Sequence, residues 1–274
     1  MHRAPKYIHG TSPEEQERLA VLNQLLNQRC MRRIQLSGNE RILDVGCGLG
    51  IFSRMLAARL TSGRVVGIEK EWAQIDRGEA LAEAEVPTRT DIRQGSAYDL
   101  PLQQHEWNSF DLCFIRFLLE HLSDPARAVR QVYDALREGG RLILVDDDHA
   151  NFRITPSQPA FERLWKSYID VYRNLGSDPF IGRNLISLLH EAGFRDLKID
   201  FVLFGATADE EDFVHYANNL MGILSGSAED MQANYPSPEA FEEDMQAIRM
   251  WSELPDATLW YAANWAEGVK HNGP

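Results

Sequence analysis

From residue 40 onward the chain alternates between short apolar runs and longer stretches in which apolar residues recur every three or four positions. The short runs at 41–45, 64–68, 110–115 and 141–145 have the length of buried strands, and 89–93 sits where a further strand is expected. Between them, 51–60 and a stretch from about 72 to 85 carry the helical period, and Pro87 breaks the second. Asp124 and Pro125 open another helix as cap and first residue, and Gly139-Gly140 is its expected stop. Ahead of this series, 12–36 reads as a first helix. Ser12, Pro13 and Glu15 supply a capping box with proline at the first position, Leu19, Leu22, Leu25, Leu26 and Met31 follow at helical spacing, and Gly38 stops it.

After residue 148 the pattern changes. Residues 156–175 and 181–192 read as helices, 198–204 as a strand, 209–254 as largely helical and 258–265 as a last strand. Strands joined by helices through short connections argue for an α/β fold, a doubly wound and mainly parallel sheet of seven strands covered on both faces. No Pro/Gly/Ser linker interrupts the chain, so 1–274 reads as a single domain. Its parts are an N-terminal segment and helix (1–38), the core sheet (39–205), a helical lid insertion (206–256) and the last strand and tail (257–274).

Charge narrows the partners. Lys and Arg number 28 against 41 Asp and Glu, a formal net charge of −13, so nucleic acid and anionic membrane surfaces meet a repulsive average field. No apolar run reaches the length of a membrane span, and the first ten residues lack the apolar stretch of a secretory signal. Cys30, Cys47 and Cys113 form an odd, sparse set without metal-ligand spacing. The expectation is a cytoplasmic protein, monomer or homodimer, with a small-molecule partner, no nucleic acid and no membrane.

The most informative stretch is Ile42-Leu43-Asp44-Val45-Gly46-Cys47-Gly48-Leu49-Gly50, a strand running into a glycine turn and then a helix. Glycines at 46, 48 and 50 admit left-handed backbone angles, and the following helix presents unpaired N–H groups to a polar or anionic ligand. About twenty residues later Glu69 ends the next strand, where a carboxylate can accept from both hydroxyls of a ribose. Turn and carboxylate together indicate a nucleoside-containing cofactor.

A dinucleotide turn reads G-x-G-x-x-G, whereas this one is G-x-G-x-G with Asp44 two residues ahead. That form resembles the first motif of the class I S-adenosylmethionine-dependent methyltransferases, of small-molecule type. The resemblance continues through Glu69, the loop Gly95-Ser96-Ala97-Tyr98-Asp99, the strand Phe110-Asp111-Leu112-Cys113-Phe114-Ile115-Arg116 followed by Glu120-His121-Leu122, and Gly139-Gly140 before the fifth strand. It covers roughly 40–148 well and the last two strands weakly. It implies S-adenosyl-L-methionine as cofactor and methyl transfer to a small organic acceptor. By the same resemblance Asp44 organises the loop and the donor's amino end, the Gly46 and Cys47 backbone meets the methionyl part, and Gly48 and Gly50 belong to the same cofactor-binding turn. Glu69, Lys70 and Gln74 lie along ribose and adenine, Ser96 and Ala97 face the adenine, Arg116 passes the methionyl end through its main chain, and Tyr7 covers the donor, with His9 beside it. Where family members often place an Asp toward the adenine amino group, this chain has Ser96, so Asp91, Asp99 or a backbone carbonyl takes that role.

Methyl transfer from a sulfonium is an in-line displacement, and a base is needed only when the acceptor must lose a proton. His121 and His149, after the fourth and fifth strands, are the candidate catalytic bases. The run Asp146-Asp147-Asp148-His149 reads as a solvated acidic loop pairing with Arg153, and no metal is expected. The aromatics Phe161, Trp165, Tyr168, Tyr172, Phe180, Phe213, Tyr216 and Trp251 suit an apolar acceptor pocket or plain core. Two other functions are alternatives: a donor-binding regulatory protein without turnover, and a NAD(P)-dependent oxidoreductase on a similar sheet, against which the glycine spacing and Asp44 speak.

Overall fold

The computed structural model describes residues 24–82 and 89–271. In chain order the elements are a helix α1 over 24–33, β1 Arg41–Val45, α2 Ile51–Ala58, β2 Arg64–Glu69, α3 Trp72–Leu81, β3 Thr90–Gln94, β4 Phe110–Arg116, α4 Pro125–Ala135 and β5 Leu136–Asp146. There follow β6 Arg153–Thr155, α5 Pro159–Asn174, α6 Leu185–Glu191, β7 Arg195–Thr207, α7 Phe213–Gly226, α8 Ala228–Gln232, α9 Pro238–Trp251 and β8 Thr258–Val269. No helix among the described residues is long and apolar enough to cross a membrane.

The described chain divides into two compact units, one of residues 30–147, 180–201 and 263–271, the other of 24–29, 148–179 and 202–262. In the first, parallel strands stand in the order β3-β2-β1-β4-β5, and β8 closes the row antiparallel to β5. This is the mainly parallel α/β sheet expected from the alternation. Strands buried on both faces explain why the runs are nearly all apolar. Leu43, Val45, Cys113, Ile115, Leu142 and Leu144 pack with Val129, Val132 and Leu189 in one core. Their alternates Asp44 and Phe114 belong to the opposite face, where the Phe52 ring of α2 meets Phe114 at 4.8 Å. α4 forms as its caps dictate, Pro125 leading and the Asp124 side chain accepting from Arg127 N–H at 3.0 Å.

In the second unit β6 pairs antiparallel with the start of β8. α5 buries Phe161, Leu164, Trp165, Tyr168, Val171 and Tyr172, and Arg163 holds Asp244 of α9 at 2.8 and 2.5 Å.

Several boundaries differ from the pattern, each through a tertiary partner. α4 stops at Ala135 rather than at Gly139-Gly140, because Leu136 already pairs with Phe110 across an irregular register. The short β6 was unexpected, a three-residue strand too brief to show a period. α1 ends at residue 33, before the expected 36, and the stretch expected as largely helical over 209–254 is three separate helices.

Candidate active site

β1 ends on Val45 and turns at once through Gly46, Gly48 and Gly50, with φ of 77°, 54° and 67°. The turn is pinned to β2: Gly46 and Cys47 N–H donate to the Ile68 carbonyl at 2.8 and 3.0 Å. The three glycines serve different ends. A Cβ on Gly46 would stand 2.9 Å from Leu118 Cδ2 and one on Gly50 3.2 Å from Arg54 Nη1, whereas one on Gly48 would meet nothing within 4 Å. Two of them make room for the protein's own side chains, and the face of Gly48 is left open to a ligand. Behind the turn, Gly78 brings α3 into contact, since a Cβ there would lie 2.3 Å from the Leu49 carbonyl oxygen. Arg54 Nη2 clamps the two by donating to the carbonyls of Leu49 at 2.6 Å and Gly78 at 3.0 Å.

Under the turn Asp44 is buried, and its Oδ2 accepts from the Ser53 hydroxyl at 2.5 Å. Burial pushes its pKa up to about 6, against the opposing pull of the Ser53 bond and the Arg116 charge. The Cys47 thiol occupies space left by Gly67, whose Cβ would come within 2.9 Å of Sγ. Burial raises the Cys47 pKa far above the ordinary thiol value, so it is a neutral filler rather than a nucleophile.

Glu69 stands at the tip of β2. Its Oε2 accepts from Gly48 N–H at 2.9 Å and its Oε1 from Glu71 N–H at 2.9 Å. A carboxylate has about four acceptor sites, so two backbone donors leave capacity for two hydroxyls. Lys70 is exposed and lies 3.8 Å from Glu71, while Gln74 is half-buried in the first turn of α3. Past β3, Ser96 and Ala97 are half-buried, and the Ser96 hydroxyl accepts from Tyr98 N–H at 3.1 Å. Asp91 does not reach this end. It pairs in register with Val66, three residues short of Glu69, and its Oδ2 is held by Arg64 at 3.1 Å and Arg93 at 2.6 Å. Three residues of strand are about 10 Å, which removes Asp91 as the substitute acceptor near Ser96.

At the tip of β4 the Arg116 guanidinium lies 4.8 Å from the centre of the Phe52 ring. Phe117 then takes a left-handed φ of 49°, sparsely populated for a bulky residue, and turns the chain toward His121. Asp146 holds that turn: fully buried at the end of β5, its Oδ2 accepts from Leu118 and Leu119 N–H at 3.2 and 2.9 Å. Burial, with Glu120 close by, pushes Asp146 well above the usual carboxylate range. The residue is therefore a support for the turn and not a member of a solvated acidic loop. His121 is partly exposed, its Nε2 3.4 Å from Glu120 Oε1.

His149 belongs to the second unit, where its ring packs among Trp165, Tyr168 and Tyr172 with centroids 5.0 to 5.6 Å apart. Its neighbour Asp148 accepts from Ala150 N–H at 3.0 Å, and Arg153 donates to the carbonyls of Ala150 and Phe152 rather than to the acidic run. Tyr7 and His9 lie outside the described residues. Ser53, Arg54 and Asp146 were not among the expected site residues, because each acts through a partner distant in sequence.

Residues 43–144 match the methyltransferase domain family. The chain is 26% identical over 201 residues to the demethylmenaquinone methyltransferase of Lactiplantibacillus plantarum, covering 66% of this chain and 81% of that protein. It is 32% identical over 129 residues to the ubiquinone biosynthesis O-methyltransferase of Xanthomonas euvesicatoria pv. vesicatoria, covering 47% of this chain and about half, 52%, of that relative. The YcgJ protein of Bacillus subtilis shares the fold, with a TM-score of 0.59 at 16% identity over 91% of this chain and 100% of that one.

Proposed function

This chain belongs to the class I S-adenosylmethionine-dependent methyltransferases, and from that premise we propose that it moves the donor's methyl group to a small organic acceptor by in-line displacement. The observation that carries the reading is the open face of Gly48 set beside the Glu69 carboxylate, 2.9 Å from its amide nitrogen. The donor then lies across four adjacent strand tips: adenine at Ser96 and Ala97 beyond β3, ribose on Glu69 with Lys70 and Gln74 alongside, methionyl part over the Gly46–Gly50 turn, and its amino-acid end between Asp44 and β4. Three spacings of about 4.8 Å give this row a span of about 14 Å, suited to one extended nucleoside-bearing ligand. S-Adenosylmethionine supplies the reactive methyl when bound; the chain's own residues orient it and keep its charged end off bulk water.

The acceptor class is supported by the demethylmenaquinone and ubiquinone biosynthesis relatives, both named for small molecules. A net charge of −13 and three free cysteines support a cytoplasmic enzyme working without nucleic acid. Titration calorimetry is expected to show one site for S-adenosylmethionine and for its demethylated product, and none for NADH. Binding of NADH in their place, or of neither, overturns the reading. Donor binding without methyl release to any of a panel of phenols, quinols and amines would instead favour a regulatory protein.

His121 is the residue we assign as base for an acceptor that must lose a proton, Glu120 beside it stabilising the imidazolium. His149 is left out of this role, its ring being packed among three aromatic side chains. His121→Ala is expected to lower turnover about a hundredfold or more, the low end of what a positioned base contributes, with donor affinity unchanged. Unchanged turnover would take His121 off the reaction path.

A further inference from the structure

Ser96 and Ala97 lie in the loop beyond β3, His121 lies in the stretch between β4 and α4, and Tyr98 joins the two. The loop is a closed turn. Its Ser96 hydroxyl accepts from Tyr98 N–H at 3.1 Å and its Ser96 carbonyl from Asp99 N–H at 3.0 Å, so the shape of 96–99 and the place of Tyr98 are set together. From this turn Tyr98 reaches the start of α4. Its hydroxyl oxygen accepts from Asp124 N–H at 3.0 Å and lies 3.3 Å from the Ser123 hydroxyl. Asp124 is the cap of α4, where a backbone N–H has no partner within the helix, and Tyr98 supplies one. The Arg127 guanidinium stands 5.2 Å from the centre of the Tyr98 ring, and its Nη2 donates to the Tyr98 carbonyl at 3.3 Å.

The consequence is for His121, which stands between two supports. Before it, Leu119 is buried in the core and Asp146 holds the N–H groups of Leu118 and Leu119. Two residues after it, Tyr98 holds Ser123 and Asp124. The backbone over Leu119–His121 is a 3₁₀ turn, whose hydrogen bonds are poorer than those of an α-helix. A base must be held closely, since a misplacement of about 1 Å can cost about a hundredfold in rate. We propose that Tyr98 is a positioning residue for the reaction: by tying the adenine loop to the cap of α4, it places His121 relative to the bound donor. The loop that meets the adenine then also steadies the segment that carries the base. The proposal rests on the donor placement and the base assignment given above. Tyr98 acts through the backbone of Ser123 and Asp124 rather than on the reacting atoms.

Tyr98→Phe keeps the ring beside Arg127 and removes the hydroxyl, so it cuts the link to Ser123 and Asp124 alone. At saturating S-adenosylmethionine, with the fastest acceptor among the phenols, quinols and amines, it is expected to lower turnover about fivefold, in keeping with one lost hydrogen bond. In the His121→Ala background the same change is expected to cost less than about twofold, since no base is left to misplace. Hydrogen exchange gives a readout that needs no acceptor. S-Adenosylhomocysteine is expected to slow amide exchange across 119–124 in the wild-type protein, and to leave it unchanged in Tyr98→Phe although the compound still binds. Far-UV dichroism and thermal melting check that the variant folds; should it fail to, Arg127→Met, which removes the ring contact and the bond to the Tyr98 carbonyl, is expected to show both effects in weaker form. Turnover unchanged by Tyr98→Phe, or lowered equally in both backgrounds, would make Tyr98 a structural residue and overturn the proposal while the base assignment stands. So would exchange across 119–124 that S-adenosylhomocysteine leaves unaltered in the wild-type protein, or slows as much in Tyr98→Phe. If His121→Ala leaves turnover unchanged, the base assignment falls; if S-adenosylhomocysteine does not bind, the donor placement falls; the proposal falls with either.

Discussion

Replacing Glu69 by alanine is expected to weaken S-adenosylmethionine binding about a hundredfold, near 2.7 kcal/mol. Two hydroxyl hydrogen bonds to a charged acceptor contribute on the order of 1.5 kcal/mol each when lost from a partly buried site. The structure adds a second cost. The same carboxylate accepts from Gly48 N–H and Glu71 N–H, both at 2.9 Å, so its removal frees the turn whose open face meets the donor. Glu69→Gln keeps an oxygen acceptor and the length of the side chain, and is expected to lose less than alanine does. Calorimetry at fixed pH and salt measures both, and 2′-deoxy and 3′-deoxy analogues of the donor separate the ribose contribution from the turn contribution. If alanine at 69 binds the donor within threefold of wild type, the ribose assignment is wrong.

What made Glu69 legible without coordinates is that strand, glycine turn and acidic tip are local features, each readable within a window of ten residues. The same holds for α4, announced by its Asp124 cap and Pro125. Features that depend on a distant partner stayed hidden. Ser53 sits in α2 like any small helical residue, and nothing nearby in sequence reveals that its hydroxyl is the hydrogen-bond donor to buried Asp44. Asp146 opens a run of three acidic residues and so reads as solvated, yet it is buried and holds the backbone of Leu118 and Leu119, 27 or more positions away. Asp91 shows the opposite error. Closeness in sequence to Ser96 suggested a shared site, whereas strand register places it toward the far end, among Arg64 and Arg93. The end of α4 was misplaced for a related reason: Gly139-Gly140 is a strong local stop signal, but pairing of Leu136 with Phe110 claims the chain first. Local chemistry thus located the cofactor turn, while the supports that hold it in shape are long-range.

Asp44 gives the prediction in which those supports act on function. Its folded pKa of about 6 stands above the unfolded value near 3.8, so the fold favours the protonated acid. A raised pKa contributes stability that is present in full below the unfolded value and is lost as pH rises through the folded one. Two units are worth about 3 kcal/mol, most of it between pH 4 and 7. The unfolding free energy of wild type minus that of Asp44→Asn is therefore expected to fall by about 2 to 3 kcal/mol from pH 4 to pH 8, as read from urea midpoints at matched ionic strength. Taking the difference removes groups common to both proteins, such as Glu106, which Arg93 holds near 2 and which acts in the opposite direction. The bound donor reverses the balance. An ammonium beside Asp44 favours the carboxylate, so wild-type affinity for S-adenosylmethionine is expected to rise with pH between 5 and 7, approaching tenfold per unit below the folded pKa, and to level off above it. Asp44→Asn has no proton to lose, and its weaker affinity is expected to be flat over the same range. A wild-type affinity equally flat from pH 5 to 8 would mean that the buried carboxylate shapes the turn without meeting the donor's amino group.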